Sequence, residues 1–195
     1  MKRILTALTL ASALLLAAPK AHAFGEKPDP AGTIRVGAHF TFGQINAGGF
    51  GAAVGGNVFG EYVITDKLWI GHLAGGLTAG YSYHKNTIRY TEFSDFGDGW
   101  DDQDTFKESR IYFAPRVTYG INILEKLEVH VGVMVGGGLF ISKSEYDSHP
   151  NKSGMFCFAF INGVRYNFTD HLAAQFEFNP GFNAPLVNLG IVFKF

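Results

Sequence analysis

Leu127, Val129, Val131, Val133, Val135, Leu139 and Ile141 alternate with Glu128, His130, Gly132, Met134 and Ser142. Period-two alternation puts the two sets on opposite faces of one extended strand. An apolar face this long must meet either a protein core or a lipid phase. No apolar run after residue 23 is long enough for a transmembrane helix.

Seven more strands of the same kind are predicted. The first, 33–42, sets Ile34, Val36, Ala38, Phe40 and Phe42 against Arg35, Gly37, His39 and Thr41. The second, 52–64, opposes Val54, Val58, Tyr62 and Ile64 to Asn57, Phe59 and Glu61. The third, 68–83, opposes Leu73, Leu77, Ala79, Tyr81 and Tyr83 to His72, Ala74, Gly76, Thr78 and Ser82. The fourth, 110–121, alternates Ile111, Phe113, Val117 and Tyr119 with Arg110, Tyr112, Arg116 and Thr118. Leu127–Ile141 is the fifth. The sixth sets Phe156, Phe158, Phe160, Val164, Tyr166 and Phe168 against Cys157, Ala159, Gly163 and Arg165. The seventh opposes Phe176 and Phe178 to Gln175 and Glu177; the eighth opposes Leu189, Ile191, Phe193 and Phe195 to Asn188, Gly190 and Lys194.

Three tight turns resemble one another: "ITDKLWIG" from Ile64, "NILEKLEV" from Asn122 and "NFTDHLAA" from Asn167. Longer links are expected over 43–51, 84–109 and 142–154, and a shorter one over 179–185. A turn centred on Asp66 would bring Glu61 and His72 together across the second hairpin.

Residues 1–23 have the anatomy of a secretory signal peptide: a basic start at Lys2 and Arg3, an apolar run, and Ala21-His22-Ala23 as a cleavage signature. Cleavage is expected before Phe24, leaving 24–195 as one domain. Removing Lys2, Arg3 and Lys20 leaves 13 basic against 17 acidic residues, a net charge of −4, which gives nucleic acid no basic footprint. The lone Cys157 excludes an intrachain disulfide. With 25 Gly and 19 Phe, the composition suits strands better than helices.

A soluble barrel would turn the apolar face inward; a transmembrane barrel turns it to lipid. The opposite faces here are mostly small, with single charges rather than the many Lys and Glu of a water-facing sheet. Aromatic residues gather near strand ends, as at a membrane interface. These features predict an all-β fold: an eight-stranded antiparallel up-and-down transmembrane β-barrel. Backbone groups in lipid must pair internally, so the last strand must close on the first.

The signal peptide, the alternating strands, the short turns and the terminal "LVNLGIVFKF" together resemble the small eight-stranded outer-membrane barrels of Gram-negative bacteria, the OmpA/OmpX type. The resemblance implies Sec-dependent export to the outer membrane, short periplasmic turns and long outer loops. It also implies that Phe193 and Phe195 belong to the signal read by the barrel-assembly machinery, and that outer-membrane lipid and lipopolysaccharide are partners.

Eight strands leave a lumen just wide enough for side chains. Arg35, His39, Glu61, His72, Arg116, Glu128, His130, Arg165 and Glu177 are its expected polar network. No cofactor is implied, and no Ser or Thr stands beside these histidines in a recognisable hydrolase signature. The principal reading is a structural or surface-interaction protein; the alternative is a lipid A or phospholipid acyl hydrolase or transferase, which would alter acyl chains when expressed. The segment 85–108 holds seven acids and three bases. Phe96, Asp98, Trp100, Asp101 and Asp102 are its candidate contact residues for an extracellular partner. The spacing of its acids does not match an EF-hand, and their charge would make contact with lipopolysaccharide depend on Ca²⁺ or Mg²⁺.

Overall fold

The structure, a computed structural model, describes residues 29–46, 49–93, 99–144 and 150–195. The signal-peptide reading and its cleavage site lie outside them, as do Phe96 and Asp98. The strand segments are β1 (Ile34–Asn46), β2 (Gly49–Leu68), β3 (Gly71–Phe93), β4 (Gly99–Leu124), β5 (Leu127–Ser144), β6 (Asn151–Asn167), β7 (Leu172–Phe178), β8 (Gly181–Phe182) and β9 (Pro185–Lys194). Each pairs antiparallel with its neighbours, and β9 returns to β1 with Lys194 opposite Arg35.

The ring has eight strands because β7 and β8 are two pieces of one. Phe178 faces Asn162 and Phe182 faces Phe158, the same register on β6. Between them Phe160 N–H donates to the Pro180 carbonyl, while Pro180 has no N–H to return.

Alternation assigns the faces as expected. Phe40, Val58, Leu77, Phe113, Val133, Phe160, Phe176 and Leu189 point outward and are exposed, while Arg35, Glu61, His72, Arg116, Glu128 and Arg165 point inward and are buried. Each strand of the ring is hydrogen-bonded to a neighbour on both sides, which is what lipid demands.

Glycine abundance has a spatial cause. Gly120 lies opposite His72 on β3 and His130 on β5, and Gly163 lies opposite His130 and Glu177. A Cβ on Gly120 would come within 2.6 Å of His72 Nε2 and 2.9 Å of Glu128 Oε1. Bulky polar groups thus share rungs with residues that have no side chain, a small–large alternation suited to a narrow lumen. Tyr112, Met134, Cys157, Ala159, Ile161 and Ala184 form an apolar cluster along one inner wall.

A bulge in β1 changes the phase once. Gly43 adopts φ 72°, the register shifts between Phe42 and Gln44, and Gln44 turns inward to accept from Ser82 Oγ and Arg110 Nη1.

Two expectations need correction. The first tight turn is at Trp69–Ile70 and not at Asp66: Leu68 faces Gly71, and Trp69 takes φ 63°. That shift moves the hairpin register, so Glu61 faces Gly76 and does not meet His72. The long links are also mostly strand. The β3–β4 ladder continues to Phe93 opposite Gly99, and β5 runs to Ser144. These residues lack the apolar alternation that reveals a strand in sequence, so only the backbone ladder shows the pairing.

Candidate functional site

The buried interior holds a continuous array of paired charges. Arg35 Nη2 lies 2.6 Å from Asp29 Oδ2, 3.1 Å from Glu128 Oε2 and 2.8 Å from His72 Nε2, and Nη1 lies 3.8 Å from Glu61. Arg165 bonds Glu128 Oε1 at 2.7 Å, Glu61 Oε2 at 3.3 Å and Gln175 at 2.7 Å. Arg116 reaches Glu61 Oε1 at 2.9 Å and Glu177 Oε1 at 2.6 Å, its guanidinium 4.6 Å from the Phe59 ring centre. Lys194 Nζ meets Asp29 Oδ1 at 2.8 Å. Arg35, Arg116, Arg165 and Lys194 therefore face Asp29, Glu61, Glu128 and Glu177, four cations against four anions. Buried ions need this compensation because desolvation is expensive.

The partners fix the histidine tautomers. His72 Nε2 accepts from Arg35, so its proton is on Nδ1. His39 Nδ1–H donates to Asn57 Oδ1 at 2.9 Å, its ring stacked 4.9 Å from Phe59. His130 Nε2–H donates to Glu177 Oε1 at 3.3 Å. These partners are amide, guanidinium and carboxylate groups, and none of the three bonds is to a Ser, Thr or Cys. Among the described residues no three His, Cys, Asp or Glu are grouped to hold a metal.

All nine residues expected in the lumen lie inside the ring. Eight join one array; His39 sits apart with Asn57 and Asn188. Asp29, Lys194, Gln175, Thr118, Asn179, Asn57 and Asn188 also join these contacts and were not among the candidates. Asp29 precedes β1 and folds back to hold Arg35 and Lys194, tying the first strand to the last beside the closing seam. Burial raises its carboxyl pKa, but Arg35 and Lys194 outweigh that and hold it below the ordinary value. Phe193 and Phe195 lie exposed on the outer face at the seam's end. Trp100, Asp101 and Asp102 belong to β4, with their backbones paired to Glu92, Thr91 and Tyr90.

An antiparallel ring with an apolar exterior, a charged interior and every edge paired defines a transmembrane β-barrel. The chain belongs to the outer membrane protein beta-barrel domain family, whose profile matches residues 8–183. That membership places it in the bacterial outer membrane. Its fold is similar to that of Neisserial surface protein A (TM-score 0.53, 13% identity, 84% of this chain and 96% of that chain). Ail of Yersinia pestis, in complex with the heparin analogue sucrose octasulfate, gives a TM-score of 0.48 at 12% identity, covering 84% of this chain and 99% of that one. The N-terminal β-barrel domain of Pseudomonas aeruginosa OprF gives 0.46 at 13% identity, with 84% and 98% covered. No curated protein matches the chain.

Proposed function

We propose that this protein is a closed outer-membrane barrel that acts at the cell surface through the β3–β4 hairpin. The observation that carries this reading is the ladder's reach. Pairing of β2 with β3 stops at Val54–Tyr83, and pairing of β4 with β5 stops at Phe106–Ser144, whereas β3 and β4 continue to Phe93–Gly99. Seven residues beyond Asn86, which faces Phe106, at ~3.3 Å rise each, give a two-stranded ribbon that projects about 23 Å. Short turns mark the periplasmic end of such barrels, so the ribbon end faces outward.

The ribbon's outer edges have no strand partner among the described residues, a geometry that accepts an added strand from a protein partner. Six acids against one base over 86–104 favour a basic partner. The lumen array supports a mechanical role: compensated charges packed across an eight-stranded ring leave no open channel. Phe193 and Phe195, on the last strand, are the groups we assign to recognition by the assembly machinery.

The test is excision at matched register. Thr87 and Thr105 face each other, so replacing 88–104 by a short Gly/Ser turn leaves the ladder below intact. The shortened barrel is expected to fold with unchanged heat-modifiable migration and to lose binding of cells to a host-protein array. Retained binding would refute the role of the ribbon.

A further inference from the structure

At the foot of the ribbon, Lys85, Lys107 and Lys143 lie directly opposite one another on three adjacent strands. Directly opposed residues of antiparallel strands share a face. Counting back from exposed Tyr81, Ile111 and Leu139, that face is the outward one, and all three lysines are exposed. Lys152 faces Ile141 on β6, one rung lower and diagonal to Lys143, and is exposed as well. None of the four has an ion pair among the described residues.

Like charges directly opposed across strands are destabilising. Neighbouring strands are ~5 Å apart, so the row concentrates three ammonium groups within about 10 Å at their roots. Its position suggests what compensates them. The rung below is Tyr83, Ser109 and Ile141, and below that the outward face is Tyr81, Ile111 and Leu139, which are lipid-facing. The lysines therefore begin where the apolar band ends, at the level of lipid headgroups. Their long stems let the ammonium groups settle at that depth.

We propose that Lys85, Lys107, Lys143 and Lys152 form a docking surface for the phosphate groups of an anionic, phosphorylated lipid of the outer leaflet. The surface lies on the barrel wall and is separate from the ribbon tip. The two regions are opposite in charge: four lysines at the foot, six acids against one base over 86–104. A phosphorylated leaflet attracts the foot and repels the tip, which holds the ribbon away from the membrane. The contact needs no bridging divalent cation, in contrast to the expectation drawn from the acids of 85–108.

The assignment to the outer leaflet rests on the topology proposed above. The test is therefore run in detergent micelles, where threading does not matter. Full-length barrel is titrated with bis-phosphorylated lipid A, with its dephosphorylated form, and with inorganic phosphate, and bound lipid is counted by native mass spectrometry. The expected result is tight binding of the bis-phosphorylated lipid, at least tenfold weaker binding of the dephosphorylated lipid, and no displacement by millimolar phosphate. The combined variant Lys85→Gln, Lys107→Gln, Lys143→Gln, Lys152→Gln should lose at least tenfold in affinity, and the Lys→Arg set should retain it. Lys126→Gln, at the Glu125–Lys126 turn, should bind like the parent. Equal binding by parent and Gln variant would overturn the proposal, as would equal affinity for both lipids or displacement by free phosphate. Surface labelling of intact cells tests the topology separately.

Discussion

Replacing Glu61 with alanine is expected to destabilise the folded barrel by about 3–5 kcal/mol, the range for breaking a buried ion pair from one side. Glu61 Oε1 lies 2.9 Å from Arg116 Nε in an ion pair and accepts from Thr118 Oγ1 at 3.2 Å, while Oε2 lies 3.3 Å from Arg165 and 3.8 Å from Arg35. Its loss leaves four buried cations facing three anions, with Arg116 and Arg165 each short of a partner. Glu61→Gln keeps the volume and one acceptor and should cost less. Urea unfolding of the micelle-folded protein, followed by the loss of heat-modifiable migration, measures both. An unchanged midpoint for Glu61→Ala would remove the array from any account of stability.

Deleting Phe195 is expected to lower the amount of protein in the outer membrane severalfold. Phe195 N–H donates to the Ile34 carbonyl at 2.9 Å, and Ile34 N–H donates to the Phe195 carbonyl at 3.0 Å. These two bonds are the last rung of the closing seam. Each contributes about 1 kcal/mol in water and more where no solvent replaces it. Phe195 is 76% exposed on the outer face, and its deletion removes the group proposed for recognition by the assembly machinery. Lys194 remains clasped to Asp29, so the truncated seam still has an anchor inside the lumen. Folding in detergent should therefore suffer less than assembly in cells. Fractionation with immunodetection against the intact chain decides the matter: equal outer-membrane levels would show that Phe195 is dispensable.

Strand faces were legible because lipid on one side and packed side chains on the other impose a two-residue period. In β6, Phe156 and Phe160 are exposed while Cys157, Ala159 and Ile161 between and beyond them are buried, as the letters suggest. Parity says which residues enter the lumen, but it does not say how far one strand is staggered against the next. Glu61 and His72 are both inward, yet two extra residues before the Trp69–Ile70 turn and a shifting register around Thr65 send them to different partners. The ribbon was hidden for a related reason: the residues beyond Tyr83 carry no apolar alternation, so nothing in the residue pattern separates paired backbone from open loop. Asp29 was missed because its role depends on the chain folding back into the mouth of the ring, a tertiary event without local signature.

The closure of this barrel by paired side chains, as proposed above, is tested most directly by ion flow across a planar bilayer. Purified protein inserted into the bilayer should show no stable conductance steps, because Arg35, Arg116 and Arg165 with Glu61, Glu128 and Glu177 occupy the lumen. Stable, ohmic single-channel steps from the unmodified protein would contradict it.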